Sequence, residues 1–538
     1  MEPSQLLARV RDGRGVQGVL PIAAVVLVAL AVRAVAWQRT GVIFNDGPTF
    51  IGLARLIEQG HWDAVFAHPF HPLYPAAIAA MHPLFDNWES AAVAVSALSG
   101  AAATAVLFVF LRQAFDLRIA YIGAVLLAFH PYAVAHSADV QSDGLYALLF
   151  LMSVTSLWLA CSTLRIGWAL ATGALAGLAF WVRPEGLGVA LVGTGIGTLL
   201  IALRRWPAHR GLSWISALSL ASAIVVVPYV LVLHDQSGSW MLTQKKSADL
   251  TNATALRSPL PDEVIDREPF LETVVRGPRV SAAPPMPAGA QLMMSPGEAA
   301  VELLKTISES MRPAFVVLAL IGGLVGIRRC FPRESFFALL TGFYLVLLYA
   351  LVLQAGYVSK RHTLPIAVLL FGYVAAGTPV LGRWLLAVPQ WLGFGTTRHR
   401  TQWATVLGVA IAIGISVPST FQVRRADRVA ERQAAIWLAA QPDARGAPVA
   451  AAKQRVAYYA GAPYVRLPDS ATRDALASLE AAGAEYLIID DHYLEENPAL
   501  RRATGVGMRV LHRTHSGGHS ATVYALEKPD LARMSRTR

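Results

Sequence analysis

Charge is what this sequence has little of. Of its 538 residues only 15% are Asp, Glu, Lys or Arg, while 55% are hydrophobic. Soluble globular domains carry about 25% charged residues. The deficit argues against one large water-soluble core and for many lipid-facing segments, so dividing the length by a soluble-domain size says nothing useful. Cysteine is almost absent. Cys161 and Cys330 each end an apolar run. They offer no metal-ligand spacing and no disulfide framework, and they are read as inert. No solenoid-type repeat runs through the chain. The net charge of +11 would suit a nucleic-acid binder, but the placement of the positive residues excludes that reading.

What is present is a succession of long apolar runs. A bilayer core of roughly 30 Å takes about 20 apolar residues per helix. Runs that meet or approach this length lie at 16–36, 91–111, 119–137, 145–161, 167–181, 187–203, 213–233, 314–327, 336–353, 364–386 and 403–417. The expected fold is therefore a polytopic α-helical membrane protein of about eleven spans. The first run ends in Ala34-Val35-Ala36, which resembles a signal cleavage site. It is longer than a signal-peptide core and is interrupted by Arg33, so an uncleaved signal anchor fits better.

Orientation follows from the basic residues. With the N-terminus inside, the inner segments hold Arg9, Arg11, Arg14, Arg112, Arg118, Arg165, Arg204, Arg205, Arg210, Arg328, Arg329, Arg333, Arg383, Arg398 and Arg400. The short outer loops hold Arg55, Arg183, Lys360 and Arg361. This asymmetry requires an odd number of spans and an outer C-terminal tail. The positive charge is thus a topology signal, and the implied location is the cytoplasmic membrane. The division expected is a transmembrane module over 1–420 and a soluble outer domain over 421–538. The module has a first outer loop at 37–90 and a long, Pro-rich outer loop at 234–312.

Three pieces lie outside the spans. In the first outer loop, "PTFIGLARLIEQG" puts Phe50, Leu53, Ala54 and Ile57 on one helical face, which reads as a helix lying on the membrane surface. The run "LYPAAIAAMHPLF" is too short to span. The long loop closes with "SPGEAAVELLKTISESM", a marked helix start with Ser295 as cap, Pro296 in the first turn and Glu298 closing a capping box. In the tail, apolar runs such as "PVAAA", "AEYLIID" and "ATVYALE" alternate with helical patterns such as "TRDALASLEAAG". That alternation predicts a small α/β domain. The tail shows no glycine-rich phosphate loop and no metal-ligand spacing.

Under this topology the polar residues near the spans collect on the outer side. Asp46 follows the first span in "FNDGPTF". His68 and His71 sit in "HPFHPLYP", Asp139 and Asp143 in "HSADVQSDG", Arg183 and Glu185 in "VRPEG", and Lys360, Arg361 and His362 in "YVSKRHTLP". Each has a plain structural role open to it. Asp46 can cap the surface helix. Asp139 and Asp143 can be solvated loop acids, and Arg183 can pair with Glu185 to close a turn. Lys360 and Arg361 can be snorkelling anchors. His-x-x-His without a placed carboxylate is a poor zinc signal. Taken together, several acids and bases at span ends on one face suit group transfer from a lipid carrier. A carboxylate takes the acceptor's proton, and guanidinium or ammonium groups hold a departing phosphate.

These elements, in this order, resemble the GT-C-type glycosyltransferases. The group they are most similar to is the protein O-mannosyltransferase-like one, which includes the lipid A aminoarabinose transferase. The outer-loop "ND-G-x-x-F" resembles that family's Asp-centred motif, "HPLYP" its "PPLYP" element, "VQSDGLYALLF" its second Asp-bearing element and "SKRHTLP" its "RY-x-LP" element. The resemblance spans 16–386 and the layout of the outer tail. It implies inverting transfer of one sugar from a polyprenyl-phosphate donor to a glycan, lipid or protein acceptor, with no part for nucleic acid. It makes Asp46 the catalytic base and Asp143 a second active-site acid. Arg361 with Lys360 would bind the donor phosphate, joined by Lys245 or Lys246 of "TQKKS". His68, His71, Asp139, Arg183 and Glu185 would line the site. Where the family carries an acidic residue, a tyrosine and a second tyrosine, this chain has Gly47, Phe50 and His362. Those departures leave the acceptor chemistry and the use of a divalent metal open. The alternatives are an oligosaccharide ligase of the same superfamily and a non-enzymatic transporter or envelope assembly protein.

Overall fold

The protein is described by a computed structural model covering residues 15–244, 261–280, 294–326, 331–387, 397–467, 475–504 and 507–526. Lys245, Lys246 and Cys330 lie outside the described residues. The chain packs as two compact units. One comprises Met1–Trp37, Val93–Asp235 and Ala288–Gln422. The other comprises Gln38–Ala92, Gln236–Pro287 and Val423–Arg538.

The first unit is helical. Among the described residues, eight helices are long and apolar enough to cross a membrane, or ten if each of two bent pairs is one span. The expected count of about eleven is not reached among them. The helix Ile166–Phe180 has 15 residues. At 1.5 Å per residue it is about 22 Å long, short of a roughly 30 Å hydrocarbon core. One expected straight span is bent, and another meets the helix before it at a sharp angle. The run 119–137 breaks by 58° between Leu117–Ala128 and Pro131–Ser137, where Pro131 has no N–H to continue the ladder. The helix expected from 314 meets Pro296–Met311 at 95°, turning at Arg312, whose φ is 72°. The capping box read from the sequence is present. The Ser295 hydroxyl accepts from the Glu298 N–H, and the Glu298 carboxylate accepts from the Ser295 N–H.

The second unit joins a mixed sheet to two clusters of short helices. Its strands are β1 Val449–Ala451, β2 Tyr464–Arg466, β3 Tyr486–Asp490, β4 Met508–Ser516 and β5 His519–Leu526. Their order is β2-β1-β3-β5-β4, parallel through β2, β1 and β3 and antiparallel beyond. Strand alternation divides the side chains between two cores. Val449, Ala451, Ile488 and Val523 pack under the helix Val429–Ala439, while Ala450, Leu487, Ile489 and Tyr524 face Ala475, Leu479 and Leu500. The β2 edge is covered by Arg279, whose N–H donates to the Tyr464 carbonyl at 3.0 Å and whose carbonyl accepts from the Arg466 N–H at 3.0 Å. An exposed strand edge is a template for unwanted pairing, and the 236–287 stretch removes it. The α/β domain read from the tail is thus present as a sheet, and its edge is completed by a residue from far earlier in the chain.

The helix Gly47–Glu58 differs from expectation. Instead of one apolar face laid on lipid, nearly its whole length is buried by protein, from Gly47 to Ala54 and at Leu56. Leu53 and Leu56 pack with Val65, Phe270, Leu271 and Val274. Phe50 contacts Phe70 and Tyr74 at ring-centroid distances of 4.9 Å each, and Arg55 pairs with Glu268 at 2.7 Å.

The tail also holds a buried ionic knot. Arg428 pairs with Glu431 at 3.2 Å and with Asp427 at 2.8 Å, and it also contacts Asp490. Glu431 is only 2% exposed. Burial pushes its carboxyl up to about 7 against the pull of Arg428. A carboxyl raised in the fold contributes stability that is complete below its unfolded value, near 4.5, and is lost as pH rises through about 7. Hydrogen exchange at β1 and β3 amides should therefore quicken, after correction for intrinsic rates, between roughly pH 5 and pH 8. In Glu431→Gln that pH dependence should be flattened.

Candidate functional site

In the helical unit the sequence-predicted residues gather around Asp143. This residue opens the helix Asp143–Thr163 and is 1% exposed. It starts there because Gly144 lets the helix approach the backbone of Ser96, where a Cβ would lie 2.6 Å from the carbonyl oxygen. Arg183 is also buried, at 4% exposure. It is extended (φ −153°, ψ 136°) ahead of Pro184, the conformation that a following proline favours. Its Nη1 donates to Asp143 Oδ1 at 2.6 Å. Its Nη2 lies 3.5 Å from Glu185 Oε1, and its guanidinium sits 5.4 Å from the Tyr146 ring centre. Tyr344 fixes the turn by donating to the Glu185 carbonyl at 3.0 Å.

Arg361, in the first turn of the helix Lys360–Ala387, is close enough for its charge to act on Asp143 and on His136. His136 is held by Gln141 Oε1 at 2.9 Å. Asp139 is not a solvated acid: it is 1% exposed, and its Oδ1 accepts from the Val140 N–H at 2.7 Å. Lys360 is engaged on one side. It pairs with Glu309 at 2.9 Å and donates to the Tyr132 hydroxyl at 3.1 Å.

Sequence reasoning passed over Arg33 as a functional group. It is 1% exposed in the first span, with Nε donating to Ser137 Oγ at 2.8 Å and Nη1 to the Ala29 carbonyl at 2.9 Å. Together with His136, Ser137 and Asp143 it lines one small cavity. An ionisable residue inside an apolar span is by itself a functional signal, and Arg33 carried that signal.

Asp46, His68 and His71 belong to the other unit. Asp46 is the N-cap residue of Gly47–Glu58, but its backbone is helical (φ −80°, ψ −12°) and its carboxylate makes no capping hydrogen bond. A capping side chain normally needs an extended N-cap, so the carboxylate is not committed to the helix start. His68 Nδ1 accepts from the Phe70 N–H at 2.9 Å, and His71 is 2% exposed. Among the described residues no three His, Cys, Asp or Glu side chains come together as a metal site.

Residues 67–231 match the family described as dolichyl-phosphate-mannose-protein mannosyltransferase. No curated protein matches the chain by sequence. Among solved structures, ArnT from Cupriavidus metallidurans bound to undecaprenyl phosphate is similar at a TM-score of 0.56 and 14% identity, over 95% of this chain and 99% of that one. The Archaeoglobus fulgidus oligosaccharyltransferase in complex with Zn and sulfate is similar at 0.57 and 13% identity, over 94% of this chain and 73% of that one. The chain has the fold of these GT-C enzymes, and the family match over 67–231 takes in two of the elements read from the sequence, "HPLYP" and "VQSDGLYALLF".

Removing one member of a buried ion pair leaves the other charge stranded, at a cost of about 3–5 kcal/mol. Arg183→Ala is expected to destabilise the detergent-solubilised chain by that order, seen as a lowered thermal midpoint. Adding Asp143→Ala should recover part of the loss, so that the double variant is less destabilised than the sum of the single ones.

Proposed function

We propose that the protein is a membrane glycosyltransferase. It moves one sugar from a polyprenyl-phosphate donor to an acceptor at the outer face, with inversion. The observation that carries this reading is the buried pair of Asp143 and Arg183 at the ends of apolar helices, with the charge of the half-buried Arg361 acting on it, in a fold whose neighbour ArnT binds undecaprenyl phosphate.

Asp46 acts as the general base. Its carboxylate takes a proton from an acceptor hydroxyl or amine, and the acceptor atom attacks the anomeric carbon on the face opposite the phosphate. The bond from that carbon to the phosphate oxygen breaks as the new one forms, and the electron pair leaves with the polyprenyl phosphate. Arg361 stabilises the phosphate, with Lys360 and with Lys245 or Lys246. Asp143, positioned by Arg183 and Glu185, orients the donor, and Asp139 supports the same turn. His68 and His71 contact the acceptor side.

A second reading, transfer of a preassembled glycan, is favoured by the similarity to the Archaeoglobus fulgidus oligosaccharyltransferase. Membranes supplied with lipid-linked monosaccharide or lipid-linked oligosaccharide separate the two by which donor is consumed.

Asp46→Asn should lower transfer by about 10²–10⁴-fold while donor binding persists; full retained transfer would end the assignment. The proposed orientation, with the N-terminus inside and the tail outside, has its own check. Glu496, 63% exposed, replaced by Cys should react with a membrane-impermeant thiol reagent in intact cells. Labelling only after permeabilisation would invert the topology.

A further inference from the structure

The loop that carries Asp46 is held, residue after residue, by the C-terminal part of its own unit. Thr40 bridges Arg424, with the Gly41 N–H donating to the Arg424 carbonyl at 2.9 Å and the Arg424 N–H to the Arg39 carbonyl at 3.0 Å. Arg432 Nη1 donates to the Gly41 carbonyl at 3.1 Å, and Arg425 Nε to the Val42 carbonyl at 2.8 Å. The Ile43 N–H donates to the Tyr459 hydroxyl at 3.1 Å. The Arg425 guanidinium sits 5.8 Å from the Phe44 ring centre. Arg455 Nη1 donates to Asn45 Oδ1 at 2.6 Å. Past Asp46, Thr49 donates to Gln454 Oε1 at 3.3 Å. Gly41 is obligatory in this arrangement, because a Cβ there would lie 2.6 Å from Val429 Cγ2.

Six consecutive residues, Thr40 to Asn45, thus reach Asp46 already fixed. Fixing a loop residue costs about 1–2 kcal/mol of backbone entropy, so a loop of this length does not hold one geometry unaided. The last contact before Asp46 is the shortest of the set, and it comes from a buried side chain. Arg455 is 6% exposed, in the helix Gln454–Ala460. A guanidinium-to-amide bond of 2.6 Å is charge-assisted, and it acts on the side chain one residue from the carboxylate.

We propose that Arg455 is a positioning residue for Asp46, acting through Asn45, and that the C-terminal domain is the mould that sets the catalytic loop. This rests on the reading of Asp46 as the general base. It gives the tail a function separate from acceptor binding. Misplacing a reacting group by about 1 Å can cost about 10²-fold in rate, so the effect belongs in turnover and not in donor affinity.

The test uses the full-length chain in detergent or nanodiscs, with Arg455→Ala, Arg455→Lys, Asn45→Ala and the double variant Arg455→Ala/Asn45→Ala. Hydrogen exchange over 41–50 is read alongside steady-state transfer from lipid-linked sugar. Arg455→Ala is expected to speed exchange in 41–50 while leaving the helix Pro296–Met311 unchanged. It is also expected to lower kcat by about 10²-fold with the donor KM within about twofold, and Arg455→Lys should recover part of the rate. Asn45→Ala should match Arg455→Ala, and the double variant should be no worse than either. An unchanged exchange pattern overturns the proposal, as does wild-type kcat in Arg455→Ala or a loss in the double variant equal to the product of the single ones. Loosened exchange together with normal turnover overturns the positioning role alone and leaves Asp46→Asn as the separate judge of the catalytic reading.

Discussion

A carboxylate and a guanidinium 2.6 Å apart, both almost wholly out of water, govern how the helical unit is built. Either charge alone would be prohibitive among apolar helices, so the two elements that carry them have to meet. Asp143 must lie at the start of its helix and not a turn further in. The turn after Val182 must leave Arg183 extended. Gly144 and Pro184 are the residues that make these placements available, and the Tyr344 hydroxyl pins the turn from a third helix. Arg361 adds its charge from a fourth segment. The result is a polar nucleus that is rigid because separating it strands a charge, which is the condition that a site handling phosphate needs.

Much of this was legible in the sequence, and the reasons are physical. An apolar run of membrane length suits little besides a helix in lipid, so the helical fold could be read directly. The capping box at Ser295 and Glu298 depends only on residues three apart, and it is present as read. The strand runs "PVAAA", "AEYLIID" and "ATVYALE" alternate between two buried faces and became β1, β3 and β5. Failures came where the answer depends on distant partners. Hydropathy counts residues but does not see Pro131 bend a run or Arg312 set a sharp turn ahead of one. The face of Gly47–Glu58 was identified from its periodicity, but what covers it was not, because Phe270, Leu271 and Val274 lie far along the chain.

The candidate site was legible as a set of residue types near span ends and not as contacts. The pairing of Arg183 with Asp143 crosses 40 residues, and the sequence offered Glu185 as the simpler partner. In the structure Arg183 uses both, with the shorter bond to Asp143. Arg33 was read only as an interruption at the end of a span, although it is buried and lines the same cavity as Asp143. Asp46 could be read as a helix cap. It occupies the cap position without performing the cap, an outcome that depends on a backbone angle no composition argument supplies.

The second unit is stitched from three stretches, Gln38–Ala92, Gln236–Pro287 and Val423–Arg538, and this has a consequence in time. The ribosome makes the Asp46 loop long before its clamps, from Arg424 to Tyr459, with Asn45 and Arg455 separated by 410 positions. Domains normally fold as they emerge, but this one has to wait. Until the final stretch has been synthesised, the early one has no partner for its backbone groups, and Arg279 has no strand edge to cover. A chain that has not yet reached Arg455 and Tyr459 therefore lacks the contacts that hold the stretch ahead of Asp46, so that stretch takes its geometry only after the later one is made.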